Sequence, residues 1–203
     1  MTAFSQRDPR WSADKLGTSV YTLAQAGCLV CAVASMLCDF GVPTDPHRLN
    51  LWLRDHNGFA QGALFRFYAV AGLGADLITL ARPPATPRPA EIADALAHGA
   101  AVLAEIIPKP QRPDRRHWLR ILSPFPSTGT PGEGSGVGAT WHVMDPWQLP
   151  GAEAITLTAA YPATTLRSVA IYKPNPARIL PITRNATGPS QQALRTMVYP
   201  DGT

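Results

Sequence analysis

Residues 25–37, QAGCLVCAVASML, hold two of the chain's three cysteines, three positions apart at the head of an apolar run. Leu29, Val30, Ala32, Val33, Met36, Leu37 and Phe40 recur at helical spacing, which predicts a helix over 28–40 that Gly41 ends. Cys28 then stands at the helix N-terminus, where the dipole favours a thiolate. Gly27 before it allows close backbone approach. Three chemistries use such a pair. A closed zinc site needs four ligands, usually with a second pair at similar spacing. Here the third cysteine, Cys38, lies in the same helix, and no histidines stand at ligand spacing. A thioredoxin-like redox pair needs a buried strand leading into the motif, and LGTSVYTLAQAG (16–27) is too polar for one. In the third, Cys28 is a lone nucleophile and Cys31 packs as a small hydrophobe. A purely structural, buried Cys28 competes with all three. A thiolate nucleophile needs a base, and the base needs an orienting group, so the rest of the chain has to decide.

That chain has 203 residues, 45% of them hydrophobic and 16% charged, which suits one globular domain able to bury a substantial core. The net charge of +4 comes from scattered arginines, with no basic run or aromatic–basic interleaving. This argues against a nucleic-acid partner. No apolar run reaches membrane-spanning length, so no membrane association is expected. An odd, small number of cysteines argues against a disulfide framework. MTAFSQRDPRW (1–11) lacks a charged leader followed by an apolar stretch, so the expectation is cytoplasmic synthesis without a signal peptide.

Outward from the cysteine helix, residues 1–24 read as an irregular arm anchored by Trp11, Leu16, Val20 and Tyr21. TDPHRLNLWLRDHNGF (44–59) is a second helix, capped by Thr44 or Asp45, with Pro46 in its first turn and Gly58 at its end. ALFRFYAVAGLG (63–74) reads as a third, and 90–98 as a fourth after the stiff linker ARPPATPRP (81–89). Strands are expected at 76–80, 100–107, 117–122, 140–144, 155–158 and 168–172, with a long loop at 123–139. Helices first and strands later point to an α+β fold, with N-terminal helices packed on a C-terminal antiparallel sheet. Residues 174–203 read as an extended tail beyond a domain of residues 1–173, and its composition suits docking on an assembly partner.

Of five histidines, His47, His56 and His98 sit among polar neighbours on helices and their ends and suit a solvated surface. His117 opens HWLRIL (117–122), at the mouth of a strand. His142 stands three residues before Asp145, an odd offset that sends the two side chains to opposite faces of an extended chain. Asp145 therefore does not orient His142 easily, but from a neighbouring strand it can hold the imidazole of His117. An ordinary Asp-Pro turn is the competing reading of Asp145.

FSQRDPRW (4–11), the Gly27-Cys28 helix start and TDPHRLNLWL (44–53) together resemble the papain-like cysteine peptidases of the bacteriocin-processing, double-glycine leader type. EIADALAHGAAVLAEI (91–106), RRHWLRIL (115–122), MDPW (144–147) and LRSVAIYKP (166–174) continue the resemblance in order, over about residues 4–173. It implies a papain-like fold and a triad: Cys28 as nucleophile, His117 as general base and acid, Asp145 as orienting residue. Gln6 matches the glutamine beside the oxyanion. Relatives often carry that donor just before the cysteine, where this chain has Thr22 and Gln25, so Gln25 is the alternative to Gln6. The implied activity is hydrolysis of peptide bonds, murein peptide cross-links included, with no metal or organic cofactor. The alternative is a structural or binding component of a phage particle or secretion assembly on the same fold, with a vestigial triad, although the intact Cys, His, Asp and Gln favour the enzyme. Delivery outside the cell or into a phage particle would then need a route other than a signal peptide.

Overall fold

The computed structural model describes residues 1–83, 88–109, 111, 115–124, 141–162 and 164–178. Of the long loop expected at 123–139, residues 125–139 lie outside them, as do residues 179–203 of the expected tail. The helices are α1 (Leu23–Ala26), α2 (Cys28–Asp39), α3 (Pro46–Asp55), α4 (Pro89–Ala97) and α5 (Leu157–Ala160). The strands are β1 (Phe59–Ala60), β2 (Leu64–Phe65), β3 (Ala75–Ala81), β4 (Ala101–Ile107), β5 (His117–Pro124), β6 (Trp141–Met144), β7 (Ile155–Thr156) and β8 (Thr165–Pro174). β1 and β2 form a small hairpin. The other six make one sheet in the order β3-β8-β4-β5-β6-β7, antiparallel at every pairing. This is an α+β fold. Among the described residues no helix is long and apolar enough to cross a membrane.

Side chains alternate across each strand, and both faces of the sheet are covered. Leu103, Trp118, Leu122, Ala170 and Tyr172 join the core made with α2, α3 and Trp11. Val102, Ala104, Leu119, Ile121, Val143 and Val169 join a second core closed by Ile92 of α4 and Leu157 of α5. The layering is thus fuller than helices on one side of a sheet. In α2 every residue from Val30 to Leu37 is buried, because the sheet, α3 and the arm surround it. Its ends keep contact with water. Its C-terminus is clamped to β5 by Arg120, whose Nη1 donates to Asp39 Oδ2 at 2.7 Å and to Ser35 Oγ at 3.1 Å.

The arm is built as expected at Trp11 and Leu16, which are 3% and 4% exposed. Val20 and Tyr21 do not anchor it, being 78% and 55% exposed. The arm is held instead by Asn50 of α3, which accepts from Gly17 N and donates to the Lys15 carbonyl. Gly17 has φ +56°, and a Cβ there would lie 2.3 Å from the Gly62 carbonyl oxygen, so the arm and the β1–β2 turn meet only through glycine. In α3, Asp45 is the N-cap, accepting from Arg48 N at 2.8 Å, with Pro46 in the first turn. That helix stops at Asp55, and Asn57 already has positive φ before Gly58.

The third helix expected at 63–74 is a correction. Its first part is β2, turned from β1 at Gln61 and Gly62, both at positive φ. Only Ala69–Leu73 is helical, as one 3-10 stretch. The stronger pattern was the alternation of Phe65 and Phe67, which meet edge to face at 5.4 Å, with Phe67 reaching Trp118 of β5 at 5.3 Å. The strand expected at 155–158 is also shorter. After Thr156 the chain turns into α5, burying Leu157.

Candidate active site

Gly27 is buried, and a Cβ built on it would lie 2.5 Å from the Leu23 carbonyl oxygen and 2.8 Å from Leu23 Cα. The tight join of α1 to α2 thus needs glycine for space. It leaves Cys28 as the first residue of α2, half-buried, with Gly27 as cap. All three cysteines are free. Cys31 is fully buried, and burial pushes its thiol well above the ordinary range, with the Cys28 charge adding to the effect. Cys38, half-buried, is also raised by burial, although a backbone hydrogen bond with Thr44 works the other way. Cys28 is thus the cysteine at the helix N-terminus, and Cys31 is part of the packing.

His117 begins β5. Because Met144 of β6 pairs with Arg120, Asp145 falls level with Leu119, on the face that His117 shares by alternation. The two side chains meet: His117 Nε2 lies 2.6 Å from Asp145 Oδ1, and both side chains are 0% exposed. An ionised carboxylate only accepts, so Nε2 carries the proton. Oδ1 also accepts from Trp147 N at 2.8 Å, and Oδ2 accepts from the Tyr161 hydroxyl at 2.5 Å. The Trp147 ring stacks on the imidazole, centroids 3.9 Å apart and 16° from parallel, so the His117–Asp145 contact is dry. Nδ1 is buried with no hydrogen-bond partner among the described residues, and with Nε2 taken it is the ring nitrogen left for a thiol.

Burial is the largest single effect on His117 and lowers its pKa. The Asp145 hydrogen bond, followed by the interaction with Cys28, outweighs it and raises the ring to about 9. Asp145 shows the complement: burial opposes its charge, but His117 first, then Tyr161 and Trp147, hold it below the usual carboxylate range. Burial raises the Tyr161 hydroxyl, and its Asp145 partner raises it further.

Gln6 is 1% exposed. Its backbone N donates to the Pro146 carbonyl at 2.9 Å and its Nε2 to the Ala24 carbonyl at 2.6 Å. It therefore bridges the segment before Cys28 and the segment after Asp145, with one Nε2 hydrogen to spare. Gln25 is exposed and its Oε1 caps α1 by accepting from Thr22 N at 2.9 Å. Of the two candidates, Gln6 is the one built between the nucleophile and Asp145 segments.

His142 lies inside β6, level with Ser123 and Thr156. His47 pairs with Asp14 at 2.6 Å, His56 stacks on Trp52 at 4.3 Å, and His98 is exposed at the end of α4. Among the described residues no group of three or more His, Cys, Asp or Glu is disposed to hold a metal ion. Two members of the cluster had no role in the sequence reading. Trp147 was visible only as the last letter of MDPW, and Tyr161, in AAYPA (159–163), carries no local signal. It enters through the turn of α5.

No family model matches this chain, and no curated protein does. Among solved structures, the chain is similar to one titled a "putative C39-like peptidase from Bacillus anthracis", with 11% identity and a TM-score of 0.47, covering 86% of this chain and 95% of that one.

Proposed function

We propose that this protein is a papain-like cysteine peptidase that hydrolyses peptide bonds through Cys28, His117 and Asp145. The observation that carries the reading is the buried imidazole held on one side by a carboxylate at 2.6 Å, with its other ring nitrogen buried and unclaimed in a chain whose Cys28 thiol stands half-buried at a helix N-terminus. That order of groups is what an activated thiolate needs. The Cys28 thiol proton passes to His117 Nδ1, and Sγ attacks the scissile carbonyl carbon, forming the C–S bond as the carbonyl π electrons move to oxygen. The oxyanion is met by the Cys28 backbone N–H, which has no partner inside the helix at that position, and by the spare Gln6 Nε2 hydrogen. His117 then gives its Nδ1 proton to the leaving amine. In deacylation it takes a proton from the attacking water as the C–S bond breaks. Asp145 keeps its charge throughout and holds the ring. No step calls for a metal or an organic cofactor. Murein cross-link peptides fall within the proposed substrate class.

The test is alkylation by iodoacetamide, with the modified cysteines mapped, alongside hydrolysis of unfolded casein and of purified murein sacculi. Cys28 should react first, His117→Ala should abolish that advantage, and Cys28→Ala should remove hydrolysis. Cys28 reacting no faster than Cys38 would overturn the enzyme reading and leave a binding module on this fold. Release of peptides from casein or from sacculi separates the two substrate classes.

A further inference from the structure

We propose that Tyr161 is a positioning residue of this site, its hydroxyl fixing the Asp145 carboxylate so that Oδ1 stays turned to His117. The inference rests on the peptidase reading but is carried by separate contacts. Asp145 Oδ1 takes two donors, His117 Nε2 at 2.6 Å and Trp147 N at 2.8 Å, whereas the bond on Oδ2 is that of Tyr161 at 2.5 Å. The carboxylate is 0% exposed, so no bulk water replaces a donor that is lost. A buried charged oxygen without a partner is costly, and rotation about the Cβ–Cγ bond is the way such a carboxylate seeks another. That rotation would take Oδ1 off the imidazole.

The backbone at Tyr161 is tied to the core by hydrogen bonds. Its N–H donates to the Leu157 carbonyl at 2.8 Å, closing α5, and Leu157 is buried in the second core. Its own carbonyl accepts from Thr164 N at 3.1 Å, and Thr164 Oγ1 donates to the Ile107 carbonyl at the end of β4 at 2.9 Å. The ring centroid lies 6.3 Å from that of His117. The phenol therefore reaches the carboxylate from a tethered position. The competing account is a partly buried tyrosine whose hydroxyl merely found an acceptor.

The two accounts separate in the titration of His117, followed by NMR of its imidazole in the full chain, with the Asp145 carboxyl carbon followed in parallel. Four proteins are compared: wild type, Tyr161→Phe, Asp145→Asn and the double variant. Tyr161→Phe keeps the ring and its packing. It should lower the His117 midpoint by about half to one pH unit, in the direction Asp145→Asn takes further, and raise the Asp145 midpoint. In the Asp145→Asn background it should change nothing. His117 titrating as in wild type after Tyr161→Phe, or falling equally in both backgrounds, would overturn the proposal. Neither readout needs a substrate. An unreactive wild-type Cys28 would therefore sink the peptidase reading while these titrations still decide the role of Tyr161.

Discussion

At His117, charge stabilisation wins against burial, and the outcome sets how stability depends on pH. The ring sits at about 9 in the folded chain against an ordinary 6.5. A raised histidine contributes fully below its unfolded value, and the contribution is lost as pH rises through its folded one. Asp145 is lowered from its ordinary 3.8. Its contribution is complete above that value and is lost as pH falls through the depressed folded pKa. Stability should therefore decline between roughly pH 6.5 and 9 in urea melts, and the decline should be shallower in His117→Gln. Cys28→Ser should bring the His117 midpoint down, because the Cys28 interaction helps to raise it. A midpoint unchanged in that variant would mean that the thiol and the ring are not coupled. At Gly27 the expectation is steric. Ala places a methyl 2.5 Å from the Leu23 oxygen, so Gly27→Ala should cost about 1–3 kcal/mol in chemical denaturation and slow alkylation of Cys28, whose backbone must move with it.

Among the elements, α2 and β5 matter most to the site, since one presents Cys28 and the other His117. The C-terminal end of α2 is joined to the middle of β5 by Arg120, which reaches Ser35 and Asp39 from the sheet, while Asp39 Oδ1 also accepts from Thr2 N. Arg120→Met should destabilise by about 1–2 kcal/mol, less than a fully buried broken pair costs, because the Asp39 side chain is 24% exposed and gains water. A urea midpoint unchanged from wild type would mean that packing alone holds the helix to the sheet. Elements with long, capped patterns were legible in the sequence. α2 shows its apolar spacing, α3 its Asp45-Pro46 start, and β4 its continuous apolar run. Elements settled by distant partners were not. The hairpin at 59–65 depends on Phe67 meeting Trp118 of β5, about fifty residues on. The early end of β7 depends on Leu157 finding the second core. Likewise, Cys28, His117 and Asp145 could be proposed because their chemistry restricts the choice. Tyr161 could not, since any tyrosine can donate a hydroxyl and nothing local says which one points at Asp145.

Over the whole molecule, the sheet is ordered differently in space and in sequence. β8, the last of the described strands, lies between β3 and β4 and pairs with both. Its pairing runs to Pro174, and Asn175 continues it by donating to the Gly74 carbonyl at 2.7 Å and to Asp76. A chain ending after Tyr172 should therefore melt a few degrees below one ending after Arg178. Equal melting temperatures would show that residues 173–178 add nothing to the edge of the sheet. The central place of β8 has a further consequence for a chain made from its N-terminus. β4 to β7 can pair as a meander as they emerge from the ribosome, but among the described strands β3 has no neighbour in the sheet until residues 165–174 have been synthesised. The N-terminal helices that carry Cys28 then lack the completed surface on which they pack. A chain stopped before Thr165 therefore offers α2 a sheet still lacking β8 and the strand β8 holds, so the elements that carry Cys28 and His117 meet on an unfinished support.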